Sequence, residues 1–452
     1  MKNRLRDALK HATADYADIR LETEERQWLS YRGPEVESSG TSSVLGGIVR
    51  ACTKGGWGVA VFDALDDLPE QVRIACRCAA LAGRDKTHLA EVPPADADHP
   101  ATLERDFRGV PLDDKLALMQ TYNDLLLNGH PAVETSVVAY NDSFRVVHFG
   151  STHDVYYREE RPRVTMMLRA TARDGAQVQN AFGSAASATS YAAVEGLEAQ
   201  AGELAERAGA LLRAPKPPSG KHTVILNTRM AGTFIHEAFG HLSEADFLYE
   251  NPCMREQMPL GRSVGPAFLN VYDDGTRVDT PAGFHFDEEG APASKTRLIR
   301  NGALAGHLHS RETAAQMEEP PTGNARAIGR AHSPIVRMTS TYIAPGTTPR
   351  ESLFADVADG IYACDLFGGQ TEFEQFTFSA AYGYRIRNGQ VGELLRDITL
   401  SGNVFETLHQ IDGIADDLEI HYGAGGCGKG GQSPLPVGLG APHVRIRNVA
   451  VG

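Results

Sequence analysis

The stretch LLRAPKPPSGKHTVILN, residues 211–227, constrains the fold more than any other. Pro215, Pro217, Pro218 and Gly220 stand between a helix-like run and a strand-like run, and no single regular element can cross them. Such punctuation marks domain boundaries, so the spacing predicts an N-terminal unit over 1–215 and a C-terminal unit over 216–452. At roughly 100–200 residues per domain, each unit is long enough to bury a core of its own. In the first unit, helical patterns occupy 2–11, 68–82, 112–127 and 191–212. Strand patterns occupy 56–63, 134–142, 144–150 and 163–172, with Asn141-Asp142-Ser143 reading as a hairpin turn. The second unit is mostly strands and turns. Asn301-Gly302 and Asn388-Gly389 each sit between alternating segments and predict hairpins, and one helix is expected over about 228–250, stopped by Asn251-Pro252. The expected fold class is α+β, a mixed N-terminal domain followed by a β-rich C-terminal domain that carries this helix.

Charge narrows the partners. With 44 basic and 58 acidic residues the net charge is −14, and no long basic run offsets it, which argues against nucleic acid or an anionic membrane surface. The first residues, MKNRLRDALKHATADYADIR, lack a signal-type apolar stretch, and no segment approaches the roughly 18 apolar residues that span a bilayer. A cytoplasmic protein with no membrane partner is expected. Six cysteines without framework spacing read as reduced thiols.

The helix over 228–250 holds HEAFGH, residues 236–241. A zinc-peptidase H-E-x-x-H motif sets its histidines four apart, about 40° around a helix, whereas five apart is about 140° and puts them on different faces. A π-bulge would absorb the extra residue, or the helix could loosen at Gly240. Spacing alone leaves a chance pair of histidines equally open. If the pair binds metal, Glu237 is placed to accept a proton from water and return it to a leaving amine. A catalytic zinc needs three protein ligands. The many other histidines of the second unit, among them His285, His307, His309, His332, His409, His421 and His443, lie in no motif, and each alone reads as structural or exposed. Cys427 is the better third ligand, because the glycines of HYGAGGCGKGGQSPLPVGLGAPH leave its thiol free to approach a metal. The same glycines match G-x-G-x-x-G and most of a P-loop, but no helix can follow and Gly430 stands where Ser or Thr is required. Lys429, His409 and Tyr422 are candidates to stabilise an oxyanion, and Glu244 reads either as an orienting partner for a histidine or as an exposed helix acid.

HEAFGHLSEADF, FDEEGAPASKTRLIRNGALAGHL, TGNARAIGRAHSPIVRMTSTYIAPG and GCGKGGQSPLPVGLG resemble, in order, successive blocks of the TldD branch of the TldD/PmbA metallopeptidase family. The resemblance implies a zinc-type metallopeptidase with one metal per chain, His236, His241 and Cys427 as ligands, and Glu237 as catalytic carboxylate. It further implies that flexible or unfolded peptides, including leader peptides of modified natural products, are cut by metal-activated water inside an enclosing dimer. That dimer would be a homodimer or a heterodimer with a PmbA/TldE-type paralogue. The alternative is a non-catalytic peptide-binding or scaffolding subunit whose metal is structural.

Overall fold

The computed structural model describes residues 1–83 and 88–452. Strands dominate the first half: β1 (Tyr16–Arg32), β2 (Glu35–Thr53), β3 (Gly56–Phe62), β4 (Ala95–His99), β5 (Val133–Ser151), β6 (Val155–Asp174) and β7 (Gln177–Ser187), all antiparallel to their neighbours except the short β4, which runs parallel to β6. They form a seven-stranded sheet in the order β3-β2-β1-β5-β6, with β4 and β7 sharing the free edge of β6. At about 3.3 Å per residue the longest strands run close to 60 Å.

Alternation gives this sheet two different faces. One is apolar. Ile19, Leu21 and Val49 lie under helices α1 (Lys2–Leu9) and α2 (Leu68–Ala82), while Tyr140, Met166 and Leu168 lie under α3 (Leu112–Asn128) and α4 (Glu198–Leu211). The other face carries Asp18, Arg20, Glu22, Arg145, Glu159 and Arg161, all turned against the second half. There Arg50 bridges Asp18, at 2.6 Å, and Glu289, at 3.0 Å.

In the second half, β8 (Gly220–Leu226) lies between strands Asp359–Glu372 and Val444–Val451, in a sheet whose pairing continues through Ile398–Asn403 and Gln375–Arg387. Strand Gln375–Arg387 also pairs with Asp359–Glu372, which closes the order into a ring. A six-stranded sheet, including Ser340–Ile343 and Gly438–Ala441, packs beside it. Helix α5 (Thr228–Ile235) follows β8 directly, capped by Asn227, whose side chain accepts from the Met230 N–H at 2.8 Å. It lies on strand Gly438–Ala441 so closely that a Cβ on Gly232 would fall 2.8 Å from the Gly440 nitrogen.

Both Asn-Gly pairs form the expected hairpins, with positive φ at Asn301, Gly302, Asn388 and Gly389. Asn141-Asp142-Ser143 does not turn. β5 runs straight through it because the Asp142 carboxylate is engaged elsewhere, accepting from Lys115 Nζ at 2.8 Å and Tyr140 Oη at 2.5 Å. The expected helix over 191–212 is split, a short 3₁₀ turn at Tyr191–Val194 preceding α4. The helix expected over 228–250 is also broken, for the reason given next. Short helices at Arg311–Met317 and Val404–His409 were not legible as such in the strand-rich pattern.

Candidate metal centre

After α5 the backbone widens into a π turn over His236–Gly240, in which the His241 N–H bonds the His236 carbonyl, five residues back. One tight 3₁₀ turn, His241–Ser243, follows, and Glu244 leaves the helical conformation before a last helix at Ala245–Glu250. The widened turn swings the i+5 histidine onto the side of the first, and the two imidazole rings stand 5.2 Å apart, nearly perpendicular. Gly240 keeps right-handed helical angles. What it supplies is space, since a Cβ there would lie 2.1 Å from the sulfur of Met338.

Cys427 reaches the same place from the far end of the chain. It begins a two-stranded hairpin, Cys427–Lys429 against Gln432–Leu435, rather than lying on a free loop. Arg337, fully buried, pins that hairpin through the Cys427 carbonyl at 2.7 Å and the Gln432 carbonyl at 3.2 Å. Arg163, from β6, holds the preceding glycines through the carbonyls of Gly423 at 3.0 Å and Gly425 at 3.1 Å. The Cys427 sulfur lies 3.2 Å from His241 Nε2, and donor atoms of His236, His241 and Cys427 all fall within 4.8 Å of one another.

Behind His241 stands an ordered carboxylate. Glu244, 1% exposed, meets His241 Nδ1 at 2.9 Å and accepts from the Met338 N–H at 3.2 Å. It is thus an orienting partner and not an exposed helix acid. Lys429 is committed to Glu244 at 3.0 Å, Asp246 at 2.6 Å and the Val336 carbonyl at 2.9 Å, so its ammonium supports this layer and does not face a substrate. His409 is exposed at the end of its helix and does not border the centre. Tyr422 does border the adjoining cavity, its hydroxyl bonded to Ser340 Oγ at 3.1 Å and Arg277 Nε at 3.2 Å.

The electrostatics favour a cation. Burial would raise the Cys427 thiol, but hydrogen bonds from His236 and His241 and their charge bring it down to about 5, so it is a thiolate at neutral pH. Burial would lower the His241 imidazole, yet Glu244 and the Cys427 sulfur hold it well above its ordinary value. Glu244, which burial would raise, is brought down to about 2 by His241 and Lys429. His236 Nδ1 is buried and finds no hydrogen-bond partner among the described residues. Zinc bonds of about 2.0–2.1 Å to nitrogen and 2.3 Å to sulfur set tetrahedral edges near 3.3–3.6 Å, close to the sulfur-to-nitrogen distance found. The donor set fits zinc.

Glu237 projects beside the donors, its carboxylate 3.8 Å from His241 Nε2 and only half-buried. His236, Glu237 and Cys427 form part of the wall of a cavity of about 630 Å³ between the two halves. Phe182, Ser184 and Arg207 border it from the first half, and Arg229, Asp365 and His421 from the second. His421 meets Thr228 Oγ1 at 2.8 Å; burial and the Arg229 charge lower its imidazole to about 4 and keep it neutral. Arg163, Arg337 and His421 carry no local sequence signal for a role here, since tertiary contacts alone bring them to the centre.

The domains of a family described as PmbA/TldA metallopeptidase match the chain in succession: domain 1 over 17–82, the central domain over 105–212 and the C-terminal domain over 219–452. A metalloprotease of Synechocystis sp. is 43% identical over 440 residues, which is 97% of this chain and 95% of the relative. A zinc metalloprotease TldD homolog of Saccharolobus solfataricus is 34% identical over 244 residues, 53% of this chain and 54% of that one. The crystal structure of TldE from Thermococcus kodakarensis has the same fold, with a TM-score of 0.78 at 18% identity over 100% of this chain and 99% of the other.

Proposed function

The chain belongs to the PmbA/TldD metallopeptidase family, and from that premise we infer that it is a zinc peptidase in which His236, His241 and Cys427 hold the metal and Glu237 is the general base. The observation that carries this reading is the π turn, which sets both imidazoles against the Cys427 thiolate with a free carboxylate alongside. A zinc ion bound there supplies Lewis acidity, which makes water a nucleophile near neutral pH and polarises a peptide carbonyl. Glu237 takes the proton from the attacking water and delivers it to the leaving amine. Glu244 fixes the ring of His241, and Lys429 holds Glu244 in its ionised form.

The substrate is a flexible or unfolded peptide. A cavity of about 630 Å³ suits an extended segment and excludes a folded domain, which would have to unfold locally first. Leader peptides of modified natural products are one such class. The partner belongs to the same reading: a second copy of this chain, or a PmbA/TldE-type paralogue in a heterodimer, as the family resemblance implies. Among the described residues no helix is long and apolar enough to cross a membrane. A cytoplasmic location is part of the proposal. The division into 1–215 and 216–452 belongs to the same reading; it is supported by the large apolar clusters, whose buried members lie at or below residue 208 or at or above residue 224.

The test against a peptide-binding subunit with a structural metal is Glu237→Gln. That variant should keep its metal and its peptide affinity and lose roughly 10²–10⁴ in turnover, because the amide cannot accept the proton. Wild type fully loaded with metal and no faster than Glu237→Gln on an accepted peptide would leave the binding subunit as the answer. Cleavage of one sequence as a free peptide and inside a stable domain tests the substrate class, and equal rates would rule out the enclosed site.

A further inference from the structure

We propose that His307, His309 and Glu319 form a second site for a divalent cation of zinc type, structural in role and separate from the centre at His236, His241 and Cys427. His307 and His309 are two apart on an extended segment, so their rings share one side of it, and they are 2% and 1% exposed. The segment leads into helix Arg311–Met317. After that helix the chain turns back at Glu318, in the left-handed conformation at φ 58°, and carries Glu319 under both rings. Donor atoms of the three side chains lie within 4.8 Å of one another.

The hydrogen bonds on the far side of each ring are those of metal ligands. His307 Nε2 lies 3.0 Å from the Met258 carbonyl, which only accepts, so this nitrogen carries the proton. In the neutral ring the lone pair then falls on Nδ1, which faces Glu319 Oε1 at 2.8 Å. His309 Nδ1 lies 3.2 Å from Thr313 Oγ1, and its Nε2 faces the other carboxylate oxygen at 3.1 Å. At His307 a lone pair against a carboxylate is repulsive, so a cation belongs between them, and His309 accommodates it because Thr313 Oγ1 can accept from its Nδ1 and leave the lone pair on Nε2. A metal ion there satisfies both ring nitrogens and the carboxylate together, three ligands of the kinds zinc accepts, the two carboxylate oxygens sharing one position of the tetrahedron. Nitrogen-to-oxygen edges of about 3.3 Å in such a site lie only a few tenths of an ångström beyond the 2.8 and 3.1 Å found. Glu319, 15% exposed at its side chain, leaves a route for the ion.

The role follows from what lies between the two histidines. The Leu308 N–H donates to the Ser243 carbonyl at 2.8 Å, and the Ala245 N–H donates to the Leu308 carbonyl at 2.9 Å. An ion on His307 and His309 would therefore clamp the segment that carries Glu244, the partner of His241.

The experiment uses the full chain, stripped with a chelator and titrated with zinc alone. Wild type should take up about two equivalents per chain, and His236→Ala with Cys427→Ser should keep about one. Adding Glu319→Gln, which preserves size and hydrogen bonding, should weaken that remaining equivalent at least about tenfold. Cobalt distinguishes the sites: the equivalent retained by the His236→Ala, Cys427→Ser variant should show no thiolate-to-cobalt charge-transfer band, and Glu319→Gln alone should keep that band. Zinc should also raise the Tm of the double variant and not that of the triple. If the double variant binds no zinc where wild type is saturated, or if its Tm ignores zinc, the trio is a proton-held His–Glu cluster and the proposal fails. Loss of the sole equivalent in that double variant leaves the first centre standing. Retention of the sole equivalent there, with its loss in Glu319→Gln, removes the first centre and keeps this one.

Discussion

In the proposed metal site much of the chemistry rests on one ionisation, that of Cys427. Its thiol, brought down to about 5 from an ordinary value near 9, is a ready ligand at pH 7 without help from added base. The sign is that of a depressed acid: the thiolate persists as pH falls toward 5, and protons compete with a metal both for it and for the His241 imidazole, which Glu244 and Cys427 hold above its ordinary value. Cys427→Ser should lose most of its metal, and zinc retention by wild type should fall as the pH is lowered from 7 and the ligands are protonated, as metal analysis after dialysis would record. Glu244→Gln should keep the fold and weaken zinc by about 10- to 100-fold, because the amide holds the His241 ring less firmly. Unchanged affinity in that variant would remove Glu244 from the support of the site. In the sequence Glu244 could be read two ways, because its burial is decided by Met338 and Lys429, some 90 and 180 residues further on.

The turn of helix that bears HEAFGH could be read in advance because its cause is local. Five-residue spacing demands one residue more than an α-turn provides, and a π turn is the smallest change that supplies it. The two Asn-Gly hairpins were legible for the same reason, since positive φ at two successive residues selects those side chains. Asn141-Asp142-Ser143 misled because its carboxylate bonds Lys115 on α3, a partner no local pattern reveals. Gly232 offers a test of how firmly α5 must sit. Alanine should favour an isolated helix by about 1 kcal/mol, yet its Cβ would press on the backbone of Leu439 and Gly440. Gly232→Ala should therefore destabilise the protein by about 1–3 kcal/mol in denaturant unfolding and loosen the metal; a gain in stability would mean that the helix has room to move.

Buried charge pairs join the two halves of the molecule, beside an apolar cluster in which Phe286 stacks on Tyr157. Burial would raise the Glu159 carboxyl, but the Arg161 guanidinium and hydrogen bonds from His285 bring it down to about 2. A depressed acid contributes its stability in full above the ordinary carboxylate range, near 4.5, and loses it as pH falls toward 2. The difference is on the order of 3 kcal/mol, so Glu159→Gln should flatten the fall in stability between pH 5 and 2.5, measured by urea unfolding at each pH. A slope identical to wild type would show that this pair does not govern acid unfolding. Arg163 gives the junction a second meaning. Its guanidinium belongs to one half and grips the carbonyls of the glycines that lead to Cys427 in the other. If Cys427 holds the proposed ion, coordination and docking are thermodynamically reciprocal: whatever free energy the ion gains from a well-placed Cys427 would be returned as resistance to prying the halves apart, and a chain opened along that seam would release it.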